Sequence, residues 1–175
     1  MKNVSCIGTA LLAAALGFWI IAYTQVQPQE NKTGQKGPLM TNHASGSFEV
    51  KMTQPKPDNP AAESANFSRM SGEKQFHGDL EGSSKVEMLA ISPDAKGSGV
   101  YVALERVTAT LKGRSGSFVL HHTGIMNRGV PTLAIEVAPD SGTDQLTGIT
   151  GKMTINIAAG GKHSYDFEYS LPNPQ

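Results

Sequence analysis

Glu105 and Arg106 sit side by side in the run VYVALERVTATL (100–111), where a charge is least expected. On an extended strand Tyr101, Ala103, Glu105, Val107 and Ala109 share one face. Val100, Val102, Leu104, Arg106 and Thr108 share the other. Both faces are mostly apolar and each carries one charge, so whichever face is enclosed takes a charge with it. An enclosed charge without a partner is costly. Glu105 or Arg106 therefore either grips a polar group of a ligand or completes an internal ion pair. His121 and His122 are adjacent, so on a strand they point to opposite faces and cannot jointly chelate one metal. His122 shares its face with Phe118, Leu120 and Met126, and is the one expected inside. Histidine suits proton transfer near neutral pH, and Glu105 on a neighbouring strand would be its carboxylate.

Two further groups carry polar chemistry. His77, Asp79 and Glu81 have period-two spacing, which on a straight strand would converge as a hard-metal or general-acid site. Gly78 and Gly82 argue instead for a bent, solvated hairpin, with His77 at a rim that a ligand could touch. His163, Tyr165, Phe167, Tyr169 and Leu171 form an aromatic face, with Asp166 and Glu168 opposite. Core packing is the plain reading of that face; a hydroxyl of Tyr165 or Tyr169 aimed into a pocket is the sharper one. The candidate ligand-binding residues are thus Glu105, Arg106, His122, Tyr165 and His77. No metal site and no cofactor are expected. A Gly-x-Ser-x-Gly elbow, a catalytic cysteine and a phosphate loop are all missing from the sequence.

Strands must position these residues. SFEVKMT (47–53) alternates with Phe48, Val50 and Met52 on one face. Pro55, Pro57 and Pro60 exclude a central strand over 54–66, leaving a loop with room for a helical turn. Further strands are expected over 67–76, 84–91, 100–111, 117–126, 132–137, 146–157 and 163–171. Gly, Pro, Asp and Asn supply the turns between them. About eight strands with short connections form an antiparallel meander, and that number closes into a barrel whose interior is filled by side chains or holds one small ligand. Closure also removes exposed edges, which favours a barrel over a two-sheet sandwich.

Composition agrees with a turn-rich β protein: charged residues are 17% of the chain and glycines number 19. The 15 basic and 15 acidic residues balance, so no basic stripe invites nucleic acid, and weak colloidal repulsion permits a homo-oligomer. Residues 4–23 (VSCIGTALLAAALGFWIIAY) are almost uninterruptedly apolar after Lys2. This segment, residues 1–24, reads as a transmembrane anchor or as a cleaved signal peptide. Trp19 and Tyr23 at its end suit an interfacial belt, and the site Ala22-Tyr23-Thr24 is poor for cleavage. Contact with a membrane is expected through this segment alone. Residues 25–45 read as a polar tether, and 46–175 as the domain, exported to the periplasm or cell exterior. Cys6, the only cysteine, excludes an internal disulfide.

The runs KQFHGDLEGSSKVEML (74–89), GVYVALERVTATLKGRSGSFVLHHTG (99–124) and LTGITGKMTINIAAGGKHSYDFEYSLP (146–172) resemble the bacterial domain-of-unknown-function 3224 family. The likeness extends over the whole domain from Gly46. That family is similar to the allene oxide cyclase-like barrels, and Leu146–Gly151 resembles their glycine-punctuated strand. The resemblance implies an all-β fold, an eight-stranded antiparallel meander barrel, here preceded by an N-terminal hydrophobic helix. The departures are the N-terminal segment with its tether and the paired His121 and His122. Three functions fit: an interior that binds a small, partly apolar molecule; a cofactor-independent cyclase or isomerase in which Glu105 and His122 move protons; or a structural, oligomeric envelope protein.

Overall fold

The computed structural model describes residues 40–56, 64–65 and 67–172. The expected N-terminal helix, its tether up to residue 39 and Cys6 lie outside the described residues. Among those residues no helix is long and apolar enough to cross a membrane.

Eight strands run in chain order: β1 (Thr41–Thr53), β2 (Ser68–Gly78), β3 (Leu80–Ile91), β4 (Gly99–Leu111), β5 (Arg114–Asn127), β6 (Val130–Val137), β7 (Thr150–Ile157) and β8 (His163–Ser170). Each pairs antiparallel with the next, and β8 returns to β1 from Thr41↔Ser170 to Phe48↔His163. The sheet is therefore a closed meander barrel. Strict alternation fixes which side chains enter it: Phe76 on β2, Leu80 on β3, Phe118 and Leu120 on β5 and Phe167 on β8 are all fully buried.

Three elements depart from the sequence reading. β1 begins at Thr41 rather than Ser47, so residues 41–45, expected to belong to the tether, are wall paired with β8, because the last strand needs a partner along its whole length to close the barrel. The β2–β3 hairpin turns tightly at Gly78, whose φ is +109°, so Gly82 and Ser83 lie within β3 rather than in a loop. Gly82 is needed there because its φ is +155° and a Cβ would sit 2.4 Å from the Thr108 carbonyl oxygen. The stretch 146–149, expected to begin a strand, instead ends a short 3₁₀ turn (Asp144–Leu146). Leu146 and Ile149 turn inward there and are almost wholly buried.

That connection also completes the wall. β6 pairs with β5 only from Leu120 onward, so the first residues of β5 lack a strand partner on that side. The loop supplies one. The Thr143 N–H donates to the Ser117 carbonyl (2.8 Å), Ala138 N–H to Val119 (2.8 Å), and Ser115 N–H to Gln145 Oε1 (2.8 Å). β6 and β7 share one laddered position, Glu136↔Lys152, where Lys152 Nζ stands 3.0 Å from Glu136 Oε1.

The interior has two halves. The half nearest the β4–β5 turn and the 3₁₀ plug is packed solid. Phe118 stacks on Phe167 with centroids 5.6 Å apart, and Phe167 on Tyr169 at 5.3 Å. Stacked rings add to the area they bury. Toward the β3–β4 and β5–β6 connections the inward side chains thin out: Met126 and Leu133 are 40% and 44% exposed. The barrel is open at that end.

Candidate functional site

Where the packed half gives way to the open half, four polar side chains meet inside the wall. Lys74 (β2), Ser84 (β3), Glu105 (β4) and His122 (β5) are all buried. Register explains the meeting. Lys74 pairs with Ser84, and Ser84 with Val107, while Glu105 lies one inward position along β4. His122 pairs with Ala103, one inward position beyond Glu105. Diagonal neighbours on one face are within reach of long side chains.

Glu105 is the hub and is fully buried. Its Oε2 accepts from Lys74 Nζ at 2.6 Å, and its Oε1 accepts from Ser84 Oγ at 2.5 Å. His122 Nε2 stands 3.0 Å from Oε2, and this buried ring nitrogen has no hydrogen bond of good geometry. Burial pushes the Glu105 carboxyl up, but the nearby His122 ring, the Lys74 ammonium and the Ser84 hydroxyl together outweigh it and hold it at about 2. Glu105 is therefore a carboxylate throughout the physiological range. Lys74 Nζ is further flanked by aromatic faces, 5.0 Å from the Phe48 centroid and 5.8 Å from Phe76, and such faces attract a cation.

The depressed carboxyl has a consequence for stability. Its folded value lies below the ordinary 4.5, so the unfolded chain binds the proton more readily. The stabilisation is complete above about pH 5 and is lost as pH falls toward 2. Urea unfolding across that window should show a loss on the order of 3 kcal/mol from this group. A variant with Lys74 and Glu105 both replaced by methionine should show a distinctly shallower acid slope.

Tyr101, inward on β4, completes the approach to the cluster. Its ring lies against Gly124 so closely that a Cβ there would be 2.0 Å from Cε1. Burial first, and the Glu105 charge second, push its hydroxyl up. Tyr101 also lines the open end: a cleft of about 680 Å³ bounded by Met88, Ala90, Tyr101, Gly124, Met126 and Leu133 beneath the 92–99 loop. Tyr101 and Gly124 are one inward step from Ala103 and His122, so the floor of the cleft adjoins the polar cluster.

The sequence-derived candidates separate. Glu105 and His122 face inward and meet. Arg106 does not join them: it alternates to the outer face and is exposed, because its neighbour takes the inward position. Tyr165 is inward and buried, but its hydroxyl is used by the wall. It accepts from the Leu80 N–H at 2.9 Å and lies 3.3 Å from the His77 carbonyl oxygen, fastening β8 to the β2–β3 turn. His77 is on the outer face, 3.1 Å from both Glu49 Oε2 and Glu81 Oε1. Asp79 is occupied separately, accepting from the Ser45 N–H at 3.0 Å. This is a solvated hairpin, remote from the cleft. Among the described residues no group of three or more His, Cys, Asp or Glu is arranged to hold a metal.

Three members of the site were not candidates from sequence. Lys74 had a signal, since alternation puts it on the face of Phe76. Tyr101 had one too, on the face of Glu105. Ser84, in the glycine- and serine-rich hairpin sequence, had none.

Comparison with known proteins places the chain. Among curated proteins nothing matches. A solved structure from Shewanella oneidensis MR-1, described as a protein with unknown function from the DUF3224 family, is 40% identical, with a TM-score of 0.69. The match covers 78% of this chain and 100% of that one. The family model described as "Protein of unknown function (DUF3224)" matches residues 44–169, which takes in all eight strands save the first three residues of β1 and the last of β8. The chain belongs to the DUF3224 family.

Proposed function

We propose that the open half of the barrel binds a small, partly apolar molecule. The observation that carries this reading is the asymmetry of the interior. One half is filled by stacked aromatic rings, while the other keeps a cleft of about 680 Å³, within the usual 300–1,000 Å³ of ligand sites. Its barrel side is apolar (Met88, Ala90, Met126, Leu133) with the Tyr101 ring among them, and its rim carries Ser92, Lys96 and Ser98 from the loop and Thr132 from β6. Methionine adapts to irregular apolar shapes. The Tyr101 hydroxyl offers a polar end against which such a molecule could be oriented, one inward step along the ladder from His122. The apolar run at 4–23 supports an exported domain held at a membrane, where small apolar compounds would be met.

Native mass spectrometry of the full chain, purified from its own host in mild detergent, is the direct test. A bound small molecule should be retained by the wild type. Ala90→Phe, which fills the cleft from its wall, should lose it at least tenfold while keeping the wild-type circular dichroism. Retention by the filled variant would overturn the reading.

The contact between Glu105 and His122 favours a second reading, proton transfer on the bound molecule. Glu105 is already engaged by Lys74 and Ser84, so it is no base. His122 would move the proton and Glu105 would orient it, as in other carboxylate–imidazole pairs. His122→Gln would then abolish turnover of the identified ligand while preserving its binding.

A further inference from the structure

The outer wall formed by β3, β4 and β5, whose Val100 and Ile125 also reach the rim of the cleft, carries an anomaly. A barrel in water should turn polar side chains outward, yet β4 is apolar on both faces. Val100, Val102 and Leu104 point outward and are 44%, 50% and 62% exposed. Leu89 on β3 and Ile125 on β5 extend the patch on either side. A groove of about 520 Å³ runs along it, bounded at one flank by Arg69 and Glu87 and at the other by His121. Scattered surface leucines need no explanation, but a contiguous apolar face marks an interaction site.

We infer that this face is the interface of a two-fold dimer of the chain, with the axis running along β4. Register carries the choice of partner. An axis in the interface plane parallel to β4 lays each β4 on its own copy, so Val100, Val102 and Leu104 meet their equivalents. It brings β3 of one copy over β5 of the other. Along the ladder Glu87↔Leu104↔His121, that operation sets Glu87 against the other copy's His121. One step along, Leu89 meets Thr123, and Ile91 meets Ile125. Beyond β3 Arg69 pairs with Glu87 at 3.1 Å, and beyond β5 Glu136 pairs with Lys152 at 3.0 Å, so these flanking charges are already balanced within each copy. A self-complementary patch of this kind is what an isologous interface requires. The near-zero net charge of the chain adds no long-range repulsion between copies.

Cysteine crosslinking of the full chain, in a Cys6→Ser background, tests the contact and its axis. Val102→Cys, on the axis, should give a disulfide-linked dimer on mild oxidation. Thr154→Cys, outward on β7, should stay monomeric under the same conditions. Glu87→Cys mixed with His121→Cys should crosslink, and neither alone should. Adding Leu104→Glu to Val102→Cys should reduce the dimer at least tenfold without altering the circular dichroism. Equal crosslinking at positions 102 and 154 would overturn the proposal, as random collision. So would a monomer whose Val102→Cys thiol is shielded from maleimide, because the face would then be covered by another segment of the same chain. A monomer with a reactive thiol would overturn it equally.

Discussion

Glu105→Ala is expected to destabilise the barrel by about 3–5 kcal/mol, the cost of breaking a buried ion pair from one side. The physical reason is what remains. Lys74, itself buried, would be left without its counter-ion and with only the Phe48 and Phe76 rings beside it. Those contacts offset about 2 kcal/mol at best when desolvated, less than the ion pair they would replace. Ser84 would also lose its acceptor. Removing both charges is a different experiment. Lys74→Met with Glu105→Met replaces the pair by apolar side chains of similar length, and such exchanges are often neutral or stabilising. The double variant should therefore recover most of the loss. Urea unfolding of the wild type, the two single variants and the double gives the coupling directly. A Glu105→Ala variant within 1 kcal/mol of wild type would show that water reaches Lys74, and that the cluster is not a sealed part of the wall.

Phe118→Ala is expected to cost about 3–5 kcal/mol, as ring deletions in well-packed cores do. Phe118 is fully buried, stacked on Phe167, and sits in the half of the barrel held by the 3₁₀ plug. β4 is laddered to its strand on one side and the loop after β6 is hydrogen-bonded to Ser117 and Val119 on the other, so the void can collapse only in part. Met126→Ala at the open end should cost less than about 1 kcal/mol, because that side chain is already 40% exposed and surface changes are small. The contrast between the two positions, read from urea midpoints at equal m-value, measures the asymmetry on which the proposed binding chamber depends. Equal losses would mean that the open half is as tightly packed as the closed one.

The family and the barrel were legible in the chain because they rest on local rules. Alternation in VYVALERVTATL makes a strand whatever surrounds it, and Pro139, Asp140, Ser141 and Gly142 turn the chain wherever they occur. Alternation also set a one-in, one-out rule for each adjacent pair, so that Glu105 and Arg106, and His121 and His122, had to divide between the two faces. The apolar company of Phe118, Leu120 and Met126 pointed to His122 as the inward histidine, but nothing on β4 said whether Glu105 or Arg106 entered. That depends on the register of whole strands, because a slip of one residue exchanges every side chain between faces. The stretch at Leu146 to Ile149 illustrates the same limit. Its apolar residues read as the start of a strand, but the short β6 leaves the lower part of β5 unpaired. The loop is drawn down to satisfy it, turning Leu146 and Ile149 into a plug.

The residues by themselves determined that the domain is a meander of eight strands and that charge must enter its interior, since the periodicity of one strand is written in that strand alone. Only the tertiary structure decided that Lys74, Ser84, Glu105 and His122 come together, that Tyr165 is spent on fastening the wall, and that His77 stands in water. Those outcomes depend on how four strands register across one another. Partners 31 residues apart, such as Lys74 and Glu105, leave no mark on the sequence between them.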